Sequence, residues 1–98
     1  MENMIKRYLA EDAQGVKAEY TFEIIQGPAF MGGNAKLVMI ERGSEFLKMV
    51  DISHDDWALD DFNLWCTEYM ERALKVRVLE DISRLRRDPV NRLREKGN

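Results

Sequence analysis

Apolar and polar residues alternate without a break from Val16 to Ile24: Val16, Ala18, Tyr20, Phe22 and Ile24 against Lys17, Glu19, Thr21 and Glu23. Successive side chains on a strand point to opposite faces, so this run predicts a strand with one buried and one wet face. Strands of parallel sheets are covered on both sides and read as continuous apolar runs. The alternation therefore predicts an antiparallel sheet covered on one side only.

Other strands are placed around this one. Ala35–Glu41 and Glu45–Ile52 are apolar and partly β-branched, with Arg42-Gly43-Ser44 between them. Gly43 supplies the positive φ that a tight hairpin needs. Met4–Asp12 is ambiguous, because Ile5, Tyr8 and Leu9 fit a helical face while Ile5, Arg7 and Leu9 fit a strand. The turn-like residues from Glu11 to Gly15, just ahead of a clean strand, favour a strand leading into a hairpin. Gly27 to Asn34 reads as a loop from its Gly and Pro content.

From Ser53 the period changes. Ser53 and Asp56 resemble a capping box with Asp in place of Glu, and Asp55 also favours a helix start. Phe62, Trp65, Cys66, Tyr69, Met70, Ala73 and Val76 then recur at helical spacing, which predicts a stripe laid on the sheet. Pro89, with Asp88 restricted before it, ends the helix near Arg87. A second stripe, Leu74, Val78, Ile82 and Leu85, centres roughly 150° from the first at about 100° per residue. One straight helix cannot turn both towards one sheet. The segment either breaks near Lys75–Val78 or packs its second half on something else. Leu74, Val76 and Val78 also alternate, which admits a short strand there.

The expected fold is α+β in a single domain of 98 residues. An antiparallel sheet of three or four strands occupies about residues 4–52. A long C-terminal helix, continuous or broken, covers one face over about residues 54–87, and a tail extends over about 88–98. No internal repeat is evident. The charged start lacks a signal-peptide apolar run, and no stretch is long enough to span a membrane. One cysteine, Cys66, beside Trp65 in the apolar stripe, fits a buried thiol in a reducing cytoplasm.

Charge is unevenly placed. Residues 1–71 carry 14 Asp/Glu against 6 Lys/Arg, whereas residues 72–98 carry 9 Lys/Arg against 4 Asp/Glu. A net charge of −3 argues against whole-protein binding to nucleic acid or anionic membrane. The acids cluster at Asp51, Asp55, Asp56, Asp60 and Asp61, extended by Glu68 and Glu71. Such a cluster either complements helix N-termini or meets a basic partner site, standing in for phosphates. The basic run of Arg84, Arg86, Arg87, Arg92, Arg94 and Lys96 has no interleaved aromatics, so it does not point to base stacking.

No catalytic or cofactor pattern is present. His54 is the sole histidine, too few for a metal site, and the calcium-loop pattern is absent. On a continuous helix Cys66 would lie ~18 Å from His54, out of reach for a thiol–imidazole pair. Neither a P-loop nor a nucleophile elbow occurs.

The expected function is non-enzymatic protein–protein interaction, with no cofactor or metal. The candidate contact residues are Phe30 and Met31 in the loop, Asp56, Asp60, Asp61 and Glu68 in the acidic cluster, and Leu74, Val78, Ile82 and Leu85 in the second stripe. That stripe suits a homodimer formed through the C-terminal helix. Two alternatives stand beside it: an acidic inhibitor of a nucleic-acid-binding enzyme, of the type phages and mobile elements direct against host defence, and nucleic-acid binding through the basic tail.

Overall fold

The computed structural model describes residues 4–26, 35–55 and 57–84. Strands β1 (Ile5–Glu11), β2 (Lys17–Gln26), β3 (Lys36–Arg42) and β4 (Glu45–Asp51) form an antiparallel meander. A short turn of helix, α1 (Trp57–Asp60), and a main helix, α2 (Phe62–Tyr69), come next. The main helix runs on as a π-helical turn over Met70–Leu74. The chain then enters β5 (Arg77–Asp81), which pairs antiparallel with β1. The sheet order is β4-β3-β2-β1-β5, so the helical segment carries the chain from one edge of the sheet to the other.

The hairpins have local causes. Asp12 Oδ1 accepts from the backbone N–H groups of Gln14 and Val16, and Gly15 takes φ +83° to close the β1–β2 turn. Arg42 pairs with Glu45 across two residues, and Gly43 at the first central position has φ +61°. A positive φ there and not at Ser44 matches a type II′ turn, whose twist suits a hairpin.

The alternation in β2 is realised: Tyr20, Phe22 and Ile24 are buried, with Tyr8 and Ala10 beside them on β1 and Val38 and Ile40 on β3. Phe62, Trp65, Cys66 and Met70 descend on this face from the helical segment. The Trp65 ring meets Phe22 edge-on at 6.4 Å and stacks on Tyr69 at 5.1 Å and Phe62 at 6.2 Å. Phe22 in turn meets Tyr8 edge-on at 6.0 Å. Such pairs add to area burial and fix the angle at which the helix sits.

Among the described residues there is no long C-terminal helix, and the sheet has five strands rather than three or four. The helical segment ends at Leu74, where Lys75 adopts the left-handed conformation, φ 58° and ψ 42°. The N–H groups of Lys75 and Val76 both bond back to the Met70 carbonyl, closing the helix end. The alternation of Leu74, Val76 and Val78 is the true signal: Val76 is buried, and Leu74 and Val78 pack against the same core. The two stripes diverge because they belong to a helix and a strand. Ala73 is exposed rather than buried, since the π turn is wound more widely than an α-turn and moves it off the stripe. Ser53 does not cap a helix. Its N–H donates to Asp51 Oδ1 in a turn, and α2 is instead capped by Asp61, whose Oδ1 accepts from the Leu64 N–H.

A short repeat closes both edge strands. Asp51-Ile52-Ser53 ends β4 and Asp81-Ile82-Ser83 ends β5. In each, the Ser N–H donates to the Asp Oδ1, at 2.8 and 2.9 Å. The Ser hydroxyl oxygen accepts from the N–H of the neighbouring strand, Lys36 at 3.0 Å and Arg7 at 2.9 Å. The Ile N–H donates to the carbonyl of that same residue, at 2.9 Å in both. Each tripeptide is a latch that pins an edge strand's end to its neighbour.

Trp65→Ala removes the ring that joins helix to sheet and should cost ~3–5 kcal/mol in chemical denaturation. Lys75→Gly relieves the left-handed penalty and should raise stability by up to about 1 kcal/mol, read in the same assay. Burial of Asp81 tends to raise its carboxyl, but hydrogen bonds from Ser83 and the Lys6 ammonium outweigh this and hold it below the ordinary carboxylate value. A carboxyl depressed in the folded state stabilises above its unfolded pKa and loses that contribution as pH falls through the folded pKa. Asp81→Asn should therefore weaken the fold at neutral pH and flatten the acid limb of its pH–stability curve below about pH 4.

Candidate interaction surface

The outer side of the helical layer gathers several exposed apolar groups. Trp57, Leu59 and Leu64 are 44%, 38% and 43% exposed on α1 and α2. Trp57 lines a cavity of about 190 Å³ together with Trp65, Glu68, Tyr69 and Arg72. Trp65 itself is buried, so its ring forms the floor and Trp57 the rim. Glu68 and Arg72 face each other at 3.9 Å, a loose pair at the mouth. Lys48 reaches from β4 to within 5.9 Å of the Tyr69 ring centroid. Asp55, Asp60 and Asp61 are all exposed beside α1.

The candidate residues from the sequence divide. Asp60 and Asp61 lie on this surface next to Trp57, and Glu68 lines its cavity. Asp61 is in part a structural cap. Leu74 and Val78 do not face outward together; both pack on the core. Ile82 is half-buried, and its N–H donates to the Arg7 carbonyl. The homodimer through a C-terminal helix loses its basis, because residues 77–81 are a strand. Phe30, Met31, Asp56 and Leu85 lie outside the described residues, as do Arg86, Arg87, Arg92, Arg94 and Lys96 of the basic run. Trp57, Leu59 and Leu64 were not among the residues expected from the sequence. Their signal was the mismatch between a tryptophan and its flanking acids: a large apolar ring off the core stripe.

The inner side of the same layer holds the most chemically suggestive group, and it is inert. The Tyr8 hydroxyl donates to Asn63 Oδ1 at 2.7 Å, and Cys66 is fully buried beside it. Burial raises the Tyr8 phenol far above its usual value and pushes the Cys66 thiol up to about 12. Neither group ionises near neutrality, so neither is an activated nucleophile. His54 is exposed, and no grouping of His, Cys, Asp and Glu suited to a metal ion occurs among the described residues. A second, open depression of about 440 Å³ is lined by Glu11, Asp12, Glu71, Lys75 and Arg77, with Glu11 and Arg77 paired across it at 2.7 Å.

The opposite side of the sheet is divided. On β1 and β2 the register sets Arg7, Glu11, Lys17, Glu19, Thr21 and Glu23 on the uncovered face, interleaved with Ile5, Leu9 and Ile25. On β3 and β4 the same face carries Leu37, which is itself buried, and Met39, Glu41, Met49 and Asp51. A bulge sets both Phe46 and Leu47 against Glu41, which brings these two side chains to that face as well. Phe46 is 55% exposed and Met49 41%. This half is therefore apolar, not wet as the β2 pattern alone implies.

No helix among the described residues is long and apolar enough to cross a membrane. Comparison of the chain with protein-family models, with curated proteins and with solved structures gives no match.

Proposed function

We propose that this protein is a non-enzymatic protein–protein interaction module that docks a basic partner on the outer side of its helical layer. The observation that carries this reading is Trp57, a partly exposed tryptophan on the rim of an aromatic-floored cavity, with carboxylates around it. Interface energy concentrates in a few large aromatic anchors ringed by polar groups, and Trp is among the most enriched of them. Asp55 and Asp60 add the charge that steers a basic partner and suppresses acidic ones. A site that normally grips phosphates is one basic surface of this kind, so the acidic-inhibitor reading is a special case of the same surface. The buried free thiol of Cys66 fits a reducing, cytoplasmic setting.

Two variants test this by affinity capture from the native host, with captured proteins quantified by mass spectrometry. Trp57→Ala should abolish retention of the partner while leaving the protein folded, because Trp57 lies outside the buried core cluster. Asp55→Lys with Asp60→Lys should slow association and reduce its sensitivity to salt. Asp61 is left intact because it caps α2. Unchanged retention in both variants would show that this surface is not the contact.

A further inference from the structure

The two latches are related by a symmetry that exchanges the faces of the sheet. β3 and β1 flank β2, and β4 and β5 lie outside them, running in the same direction. A half-turn about β2 lays the β3–β4 pair on the β1–β5 pair and swaps the two sides. The register agrees with this relation. Asp51 is level with Leu37 on the uncovered face, so Ile52 turns to the covered side, where it is buried in the core. Asp81 is level with Tyr8 on the covered face, so Ile82 turns to the uncovered side. Beyond the first latch the chain builds the helical layer on the side to which Ile52 points. At the second, Ile82 lies on the opposite, uncovered side just before residue 85.

That face is matched in charge and in size to residues 85–98. The cations of β3 and β4, Lys36, Arg42 and Lys48, share the register positions of Ile52, Tyr20 and Ile40 and so lie on the covered side. The charged groups that β3 and β4 place on the uncovered side are Glu41 and Asp51, both carboxylates, among the exposed Phe46, Leu47 and Met49. The 14 residues from 85 to 98 hold five Lys/Arg against two Asp/Glu, together with Leu85, Val90 and Leu93. Five strands span about 19 Å between outer axes. Fourteen residues reach about 21 Å even at the short rise of a helix. The apolar half-face is about 10 Å by 20 Å, the footprint of one segment, and well short of the ~800 Å² that each partner buries in a stable dimer. The bulge at Phe46 and Leu47 also blunts β4 as an edge for pairing with a second copy.

We propose that the uncovered face over β3 and β4 is the docking site for this chain's own basic segment, residues 85–98, with Glu41 and Asp51 meeting its arginines and Met39, Met49 and Leu47 its apolar side chains. This contact is separate from the helical-layer surface proposed above and stands or falls without it. Methyl-resolved nuclear Overhauser spectroscopy on the full chain tests it. Cross-peaks are expected from the Met39 and Met49 methyl groups to those of Leu85, Val90 or Leu93. A sample mixing labelled and unlabelled chains distinguishes contacts within one chain from contacts between two. Contacts found only between chains would overturn the proposal in favour of a dimer, and an absence of cross-peaks would overturn it outright. Native-state trypsin cleavage after Arg86, Arg87, Arg92 and Arg94 gives a second readout. Met49→Asp and Glu41→Lys, both at side chains away from the core, should each speed cleavage about tenfold, since weakening the docked state by ~1.4 kcal/mol exposes the sites that much more often. Cleavage of the unaltered protein as fast as that of the free 85–98 peptide would sink the idea.

Discussion

The covered face is organised around one ring. Trp65 contacts the sheet through Phe22 and its own helix through Phe62 and Tyr69, so a single side chain fixes both the height and the rotation of the helical layer. The chain has only α1, eight residues of α2 and a π turn with which to cross from the β4 edge to the β5 edge. Helices this short have little stability of their own and persist because an apolar face is buried. The crossing is thus held in place by the aromatic contacts, not by helix propensity. The Tyr8–Asn63 hydrogen bond, half sheltered from solvent, adds direction, tying β1 to the start of α2.

A layer this thin leaves surface uncommitted on both sides. On its outer side, α1 has four residues and one buried side chain, Ala58, and leaves Trp57 and Leu59 partly exposed. Lys36, Arg42 and Lys48 of β3 and β4 lie on the side of the helices, with Glu45 level with Arg42, whereas Glu41 and Asp51 lie on the other. Lys48 illustrates the covered side, its ammonium 5.9 Å from the Tyr69 ring centroid. Sorting of this kind gives each face of one sheet a distinct electrostatic character from residues adjacent in sequence.

Much of the sheet was legible because its signals are local. The period of β2, the Gly43 turn and the aromatic stripe from Phe62 to Met70 each declare themselves within about ten residues. β5 was not legible for a specific reason. Helix ends are usually announced by Gly or Asn, and here the left-handed position is filled by Lys75. With no breaker between Leu74 and Val78, a strand's alternation merged into the helical spacing before it. The exposed half-face was hidden by the bulge, since one extra residue at Leu47 carries Phe46 to the side that strict alternation denies it. Of the candidate contact residues, the acids at Asp60, Asp61 and Glu68 reach an accessible surface. Leu74 and Val78 both pack on the core, because Leu74 ends the helical segment and Val78 lies on β5 rather than on a continuation of that helix. The latch repeat escaped because it is three residues long and its two copies face opposite ways.

The pairing of β5 with β1 joins the most distant parts of the described chain. Lys6 and Asp81, 75 positions apart, form an ion pair at 3.0 Å, and the Ser83 hydroxyl closes on Arg7 beside it. The β1–β4 meander is made of hairpins and can assemble as it emerges from synthesis, but its β1 edge waits for the last strand. Closing so long a loop carries an entropic cost that must be met before the contact rewards it. Until then β1 is an open edge with Tyr8 and Ala10 incompletely sheltered. The interval between completing the meander and delivering β5 is therefore the period in which this chain is most exposed to mispairing with another nascent copy.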